Sequence, residues 1–309
     1  MRHFINIKDI PGKELKKIIL DAKKRKAKRK NFNTLDIDKD SPLKGKLLIQ
    51  MFEKSSLRTR LSFYIAIKQL NGGALTLRPD ELHLNKGGES LSDTAKIIST
   101  FGNAFMLRTN SEEKLNILKK YLTIPLINGL SPKSHPTQVL SDVFTIEEIK
   151  KKSISKLKIC WVGDSNNVLN SLIEASVKFS FKLNIGCPKK YEPNKDLLNW
   201  AKKNKGNVKI FYDSKKAASG CDVVFTDKVI SMNDKVNKTQ KLINFKNFKV
   251  TQAVMKCAKK DAIFLHCLPR GPEVSNEVFL GKKSKVFQQA LNRIYVQKSI
   301  LLYCFDKLR

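Results

Sequence analysis

Six consecutive residues, Ser55-Ser56-Leu57-Arg58-Thr59-Arg60, crowd three hydroxyls and two guanidiniums between the apolar run Leu47–Phe52 and the mixed run Leu61–Ala66. The pattern predicts a strand, a polar turn and then a helix. A helix N-terminus carries unpaired N–H groups and a positive partial charge, so it receives anions. Hydroxyls beside arginines suit a phosphate, because the guanidinium presents a rigid fork of donors. Taken alone, the same six residues describe an ordinary helix cap with solvated arginines equally well.

Further chemically capable groups recur at the ends of strand-like runs. Arg108 follows Ala104–Leu107, and His135-Pro136-Thr137-Gln138 opens a predicted helix that runs toward Lys150. Asn166-Asn167 comes after Leu157–Gly163, Asp227 after Asp222–Phe225 with Ser231-Met232 close behind, and His266-Cys267-Leu268-Pro269-Arg270 after Ala262–Leu265. In open parallel sheets, ligands bind beyond the carboxyl ends of the strands. Each cluster is weak evidence by itself; their shared position is the signal.

The elements that position them follow an α/β rhythm, strand, polar residue, helix, repeated twice along the chain. Near-continuous apolar strands suit parallel sheets covered on both faces. A basic, polar stretch at 151–156 separates the two halves. The expected fold is therefore two doubly wound α/β domains, each with a central parallel sheet, joined by interdomain helices. The predicted boundaries are 1–150, 151–285 and a last helical segment at 286–309. Glycines follow the strand at Gly163, but no G-x-G-x-x-G is present, so no nucleotide cofactor is expected.

With 309 residues and 41% hydrophobic content, the chain is large enough for two cores. No run approaches the roughly 18 apolar residues of a membrane helix, and no signal-peptide block opens the chain. The formal net charge is +32, but 50 of the 60 basic residues are Lys, scattered throughout. That dispersion argues against a nucleic-acid partner and suggests compositional bias. The densest run, Lys23–Lys30, reads as the solvated end of the first helix, near a negative dipole. Six cysteines (160, 187, 221, 257, 267 and 304) show no zinc spacing, so neither metal nor disulfide is expected, and a reducing, cytoplasmic location follows.

Taken together and in order, S-x-R-T-R, H-P-x-Q, D-x-x-x-S-M and H-C-L-P-R resemble the aspartate/ornithine carbamoyltransferase family, and the last two motifs are similar to those of its ornithine branch. The resemblance implies a carbamoyl-phosphate domain followed by an ornithine domain, with a final helix packing back on the first. It implies homotrimers, a cytoplasmic role in arginine biosynthesis, no cofactor, and an active site between the domains completed by a neighbouring subunit's loop, here around His83. Carbamoyl phosphate would be held by Ser56, Arg58 and Thr59, with Leu57 in the same turn. Arg108, His135 and Gln138 would face the carbamoyl group, and Arg293 would reach it from the last helix. Asn167, Asp227, Ser231 and Met232 would hold ornithine, with Cys267 and the Leu268 backbone beside the reacting amine and against the carbamoyl group. The catalytic set so implied is Arg58, Arg108, His135, Asp227 and Cys267.

An alkyl amine such as that of ornithine has a pKa of about 10.4, so binding must supply the neutral form. Asp227 and Cys267 are the candidate acceptors for its proton. The Leu268–Pro269 bond is expected to be cis, as in the family. Three positions depart from the family pattern: Leu57 stands for Thr, Asn233 for Gly and Leu291 for an acid. Two other readings stay open: a sister carbamoyltransferase acting on putrescine or an acylated ornithine, and a drifted, inactive member of the family serving as a basic scaffold that binds nucleic acid.

Overall fold

The computed structural model describes residues 1–78, 89–230 and 237–308. Two compact units divide it: Met1–Phe144 with Leu291–Arg309, and Thr145–Ala290. Unit 1 contains α1 (Gly12–Ala27), β1 (Leu47–Phe52), α2 (Leu57–Gln69), β2 (Gly73–Leu77), α3 (Leu91–Phe101), β3 (Ala104–Arg108), α4 (Glu112–Tyr121) and β4 (Leu126–Leu130). The chain passes into unit 2 within α5 (Pro136–Lys150).

Unit 2 follows with β5 (Lys158–Val162), α6 (Asn167–Phe179), β6 (Lys182–Gly186), α7 (Lys195–Lys203), β7 (Asn207–Phe211), α8 (Ser214–Ala218) and β8 (Val223–Thr226). Then come α9 (Lys238–Asn244), α10 (Gln252–Cys257), β9 (Ile263–His266) and α11 (Asn276–Phe279), and α12 (Val286–Cys304) returns to unit 1.

Both sheets are parallel, as the apolar strands predict. Unit 1 has the order β2-β1-β3-β4 and unit 2 the order β7-β6-β5-β8-β9. In each, the chain builds outward in one direction and then starts again on the other side of its first strand. The reversal opens a crevice between β1 and β3, and another between β5 and β8. Strand alternation sends Ile49 and Met51 of β1, with Phe105 and Leu107 of β3, into one cluster with Ile98, Leu115 and Leu118 of the covering helices. In unit 2, Cys160, Val162, Val224 and Phe264 do the same beneath α8, α10 and α11.

One expectation is overturned in part. Within the basic run at the end of α1, the arginines are not solvated. Arg25 and Arg29 lie four residues apart on the inward face of the chain as it leaves the helix, and the Arg29 side chain is 3% exposed. Arg25 binds Asp21, Asp38 and Asp40 at 3.0 Å each, and Arg29 binds Asp38 at 2.8 Å. From α12, Lys298 reaches Asp38 at 2.6 Å, and Ser299 donates to Asp21 at 2.6 Å. Lys26 donates to Asn292 at 2.7 Å. The flanking lysines 23, 24, 28 and 30 do face solvent. Among the described residues no helix is long and apolar enough to cross a membrane, and no group of three or more His, Cys, Asp or Glu could hold a metal ion. All six cysteines are free, and all but Cys257 are buried.

Candidate functional site

The first candidate site grows from the β1–β3 crevice. β1 ends at Phe52, and four residues later Ser56 takes the N-cap position of α2 in an extended conformation. Its hydroxyl makes no capping bond. The residue type is right for a cap, yet the side chain does not close the helix end, so the first-turn amides keep their donors for something else. Leu57, Arg58 and Thr59 form that first turn. Leu57 is 70% exposed, whereas Thr59 is buried.

Arg108 closes β3 opposite Phe52 in register. Glu53, directly after β1, ties this end together. Its backbone N–H donates to Arg108 O at 2.9 Å, and its carboxylate accepts from Thr109 Oγ1 and Lys114 Nζ at 2.6 Å and from Asn110 N at 3.1 Å. Burial would raise the Glu53 pKa, but these donors outweigh it and hold the group ionised, below its usual range.

β4 delivers the chain to His135 and to Gln138 in the first turn of α5, where Pro136 needs no N–H partner. α12 brings Arg293, almost wholly buried, to the same place. Its Nη1 donates to Gln138 Oε1 at 2.6 Å and its Nη2 to Thr59 Oγ1 at 2.8 Å. The side chains of Thr59, Gln138 and Arg293 are thus joined directly, though they come from residues more than 200 positions apart in the sequence at the extremes.

Electrostatics ties Arg58, Arg108 and His135 into this group. Burial and then the charge of Arg58 push the Arg108 pKa down to about 10. Lys54 is lowered by burial and by Arg108, with Glu53 opposing. His135 falls well below its usual value through burial, then Arg293, Arg108 and Arg58. It is therefore a neutral imidazole at pH 7, able to donate from one ring nitrogen without adding charge. Arg108 Nε, buried, has no hydrogen-bond partner among the described residues. Cations that raise one another's energy in this way are arranged to receive an anion.

The second candidate site occupies the β5–β8 crevice of unit 2. β5 is followed by Gly163, whose φ of +140° favours glycine and whose added Cβ would come within 3.1 Å of Thr226 Oγ1. Asn166 caps α6, accepting from Val168 N at 3.0 Å and Leu169 N at 3.1 Å, and its Nδ2 donates across the crevice to Asp227 Oδ2 at 2.9 Å. Asn167 is the first residue of α6. Asp227 is partly exposed as a residue, but its carboxyl sits deep enough that burial raises its pKa, with His266, the Lys228 N–H and Asn166 partly offsetting the effect. It is a better proton acceptor than a surface carboxylate.

At the end of β9 the imidazole of His266 is locked. Its Nδ1 accepts from Leu268 N at 2.8 Å, so the proton resides on Nε2 and is donated to Glu273 Oε1 at 2.8 Å. Glu273 also accepts from Gly271 N. Burial opposes its ionisation, but these two donors hold its pKa below the usual range. The lock shapes the loop carrying Cys267, buried, and Leu268, whose φ is +57° and whose bond to Pro269 is cis.

The structure thus groups Ser56, Leu57, Arg58, Thr59, Arg108, His135, Gln138 and Arg293 in unit 1. It sets Asn167, Asp227, Cys267 and Leu268 at strand ends in unit 2. His83, Ser231, Met232 and Asn233 lie outside the described residues. Glu53, Lys54 and Glu273 were not anticipated, and Asn166, noted in the strand-end pair Asn166-Asn167, was given no role. For Asn166 a signal existed, since Asn just before a helical run is a favoured cap.

Comparison with known proteins defines the class. The model of the carbamoyl-P binding domain of aspartate/ornithine carbamoyltransferases matches residues 2–148, and that of the Asp/Orn binding domain matches residues 155–304. The chain belongs to the aspartate/ornithine carbamoyltransferase family. Among its relatives, the ornithine carbamoyltransferase of Rhodopseudomonas palustris is 42% identical over 305 residues, covering 98% of this chain and 96% of that one. That of Agrobacterium fabrum is 38% identical, covering 98% and 97%. Among solved structures, the anabolic ornithine carbamoyltransferase of Campylobacter jejuni superposes with a TM-score of 0.90 at 36% identity, covering 99% and 100%. The ornithine carbamoyltransferase of Pyrococcus furiosus gives the same score and identity, covering 97% and 96%.

Proposed function

We propose that this protein transfers the carbamoyl group of carbamoyl phosphate to the δ-amine of L-ornithine, giving L-citrulline and phosphate in arginine biosynthesis. The observation that carries the reading is the anion-ready crevice of unit 1, where Arg58, Arg108 and Arg293 surround a neutral His135 beside an uncapped helix N-terminus.

In this reading the phosphate dianion binds the α2 amides, Ser56, Arg58 and Thr59. Arg108 and His135 donate to the carbonyl oxygen, where negative charge grows as the amine adds. Donors fixed in advance at that point supply a large part of such catalysis, about 2.7–4 kcal/mol for each one removed. Gln138, with one lone pair of Oε1 engaged by Arg293, keeps another for a carbamoyl N–H. The ornithine ammonium gives its proton to Asp227, whose raised pKa suits it as acceptor, and the freed nitrogen attacks the carbonyl carbon. The new C–N bond forms, and the C–O bond to phosphate breaks with its electron pair going to phosphate. The second proton lost by the attacking nitrogen passes to the departing phosphate, which leaves as hydrogen phosphate held by the cation cluster. Cys267 and the Leu268 backbone stand beside the amine. No covalent enzyme intermediate is required, because the leaving group is already activated. Asn167, and by resemblance Ser231 and Met232, hold the amino-acid end of ornithine. His83 belongs by the same resemblance to a loop serving a neighbouring subunit.

We further read the protein as a cytoplasmic homotrimer, supported by the family resemblance. Light scattering on the purified protein is expected to give three times the chain mass of 35.2 kDa. The test of the activity is carbamoylated product from carbamoyl phosphate with ornithine, acetylornithine, putrescine and aspartate in parallel. Citrulline from ornithine, well above the other products, is expected. Product from putrescine or acetylornithine instead would assign a sister activity, and none from any amine would leave a non-catalytic scaffold.

A further inference from the structure

Gln138 and Asp142 lie four residues apart on one face of α5, both essentially without solvent exposure. Gln138 Nε2 donates to Asp142 Oδ1 at 2.8 Å, while Gln138 Oε1 accepts from Arg293 Nη1 at 2.6 Å. The two ends of a primary amide are alike in shape and opposite in hydrogen-bonding sense. An arginine offers only donors, so Arg293 takes the amide oxygen, and the NH2 end is left to donate to the Asp142 oxygen. A flipped Gln138 would set its NH2 against the guanidinium and its oxygen against the carboxylate. The chain of bonds continues from Arg293 Nη2 to Thr59 Oγ1 at 2.8 Å, in the first turn of α2.

We propose that Asp142 is a positioning residue of the carbamoyl-phosphate site. By accepting from Gln138 Nε2, it fixes the Gln138 amide and, through it, the fork of Arg293 against Thr59. Asp142 acts through Gln138 and touches no substrate. The proposal rests on the carbamoyl-transfer reading for the identity of the ligand, but the hydrogen-bond chain itself is independent of that reading. A buried carboxylate among helix residues would otherwise count as scaffold, and the two roles differ in a measurable way. A scaffold residue contributes whatever occupies position 138, whereas a positioning residue loses its effect once Gln138 is gone.

The test is a double-mutant cycle on purified protein, with citrulline formation at varied carbamoyl phosphate as readout and thermal melting as control. Asp142→Ala is expected to lower kcat/KM by up to about 100-fold, the scale of a catalytic group displaced by roughly 1 Å. In the Gln138→Ala background the same change is expected to cost less than about twofold, a non-additivity that distant sites do not show. Asp142→Asn, which keeps an acceptor for Gln138 Nε2, is expected to stay within about tenfold of the unmodified protein. Asp142→Leu, similar in shape and without an acceptor, takes the place of the alanine variant if that one does not fold. Equal losses in both backgrounds, or an Asn variant as impaired as the alanine one, would overturn the proposal. If the unmodified protein makes no citrulline, the carbamoyl-transfer reading fails separately. The cycle is then read from calorimetric affinity for carbamoyl phosphate, and additive effects, or no measurable binding to the unmodified protein, overturn the positioning role.

Discussion

Unit 1 holds two buried clusters of cations that differ in what answers their charge. Arg25, Arg29 and Lys298 are met by Asp21, Asp38 and Asp40. There burial works against the Arg25 charge, yet the hydrogen bond and charge of Asp40, with Asp21 and Asp38, raise its pKa, and Asp40 is lowered in turn despite its own burial. Around the β1–β3 crevice the direction reverses: Arg108, Lys54 and His135 are all pushed toward their neutral forms by burial and by their neighbours' charge. Arg293 donates there to Gln138 and Thr59, both neutral groups. A cation cluster that carries its own anions is structure. One whose members repel each other is poised for an anion from outside. The lesson is that the carboxylates paired with the cations, more than the number of basic residues, separate scaffold from site: even Lys298, whose pKa is lowered, has Asp38 at 2.6 Å.

Breaking each cluster should therefore fail in a different currency of measurement. The largest effect is expected from Asp38→Ala, which leaves Arg25, Arg29 and Lys298 short of a shared buried anion. Removing one partner of such a buried group costs about 3–5 kcal/mol, read as a lowered melting temperature. Next comes Arg108→Met, expected to reduce kcat/KM by about 10²–10³-fold, the scale of a lost transition-state donor, with little change in melting.

In unit 2, Asp227→Asn tests the proton acceptor. A carboxyl with a raised pKa fills with protons at a higher pH than an ordinary Asp, so the acid limb of kcat/KM for ornithine should lie above the usual Asp range. The Asn variant should lose activity and that limb together. The linkage sign is the opposite for stability. A raised pKa means the native state binds more protons, so the Asp227 contribution is full at low pH and is lost as pH rises through its folded value.

A smaller effect is expected from Lys298→Met. Burial, helped by Arg29 and Arg25, pushes Lys298 down to about 8 against the pull of Asp38. The charged lysine is thus a marginal member of its cluster, and Asp38 keeps both arginines. Melting should change by far less than in Asp38→Ala. The smallest effect belongs to Leu57→Thr. The side chain is exposed at the first position of α2, so Thr fits without strain. Tighter carbamoyl-phosphate binding, by at most about 1.5–3 kcal/mol, would show that the missing hydroxyl matters. Unchanged affinity would show that the backbone N–H carries the contact.

Much of this was legible in the sequence because parallel α/β sheets concentrate chemistry at strand ends. Ser56, Arg58, Thr59, Arg108, His135 and Gln138 each follow an apolar run, and pattern alone finds them. Arg293 follows no strand, and only the family resemblance pointed to it, since nothing local says that α12 folds back beside α2. Asp142 was invisible for a related reason: an acid within a helix reads as solvated until the burial of that helix face is known. Arg25 and Arg29 were misread because a lysine-rich run hides its periodicity. The cue was residue type, as the chain has ten arginines among 60 basic residues, and these two stand where ion pairs are buried. Asn166 was noted with Asn167, but only Asn167, on the far side of the cap, was given a role.

The most direct test of the two-cluster account is calorimetric binding of carbamoyl phosphate, without ornithine, to the unmodified protein and to Arg108→Met and Lys298→Met. The account predicts binding that falls by about 10²-fold or more in Arg108→Met, the scale of truncating one partner of a buried charge pair, and stays within about twofold in Lys298→Met. Equal weakening in both variants, or none in either, would contradict it.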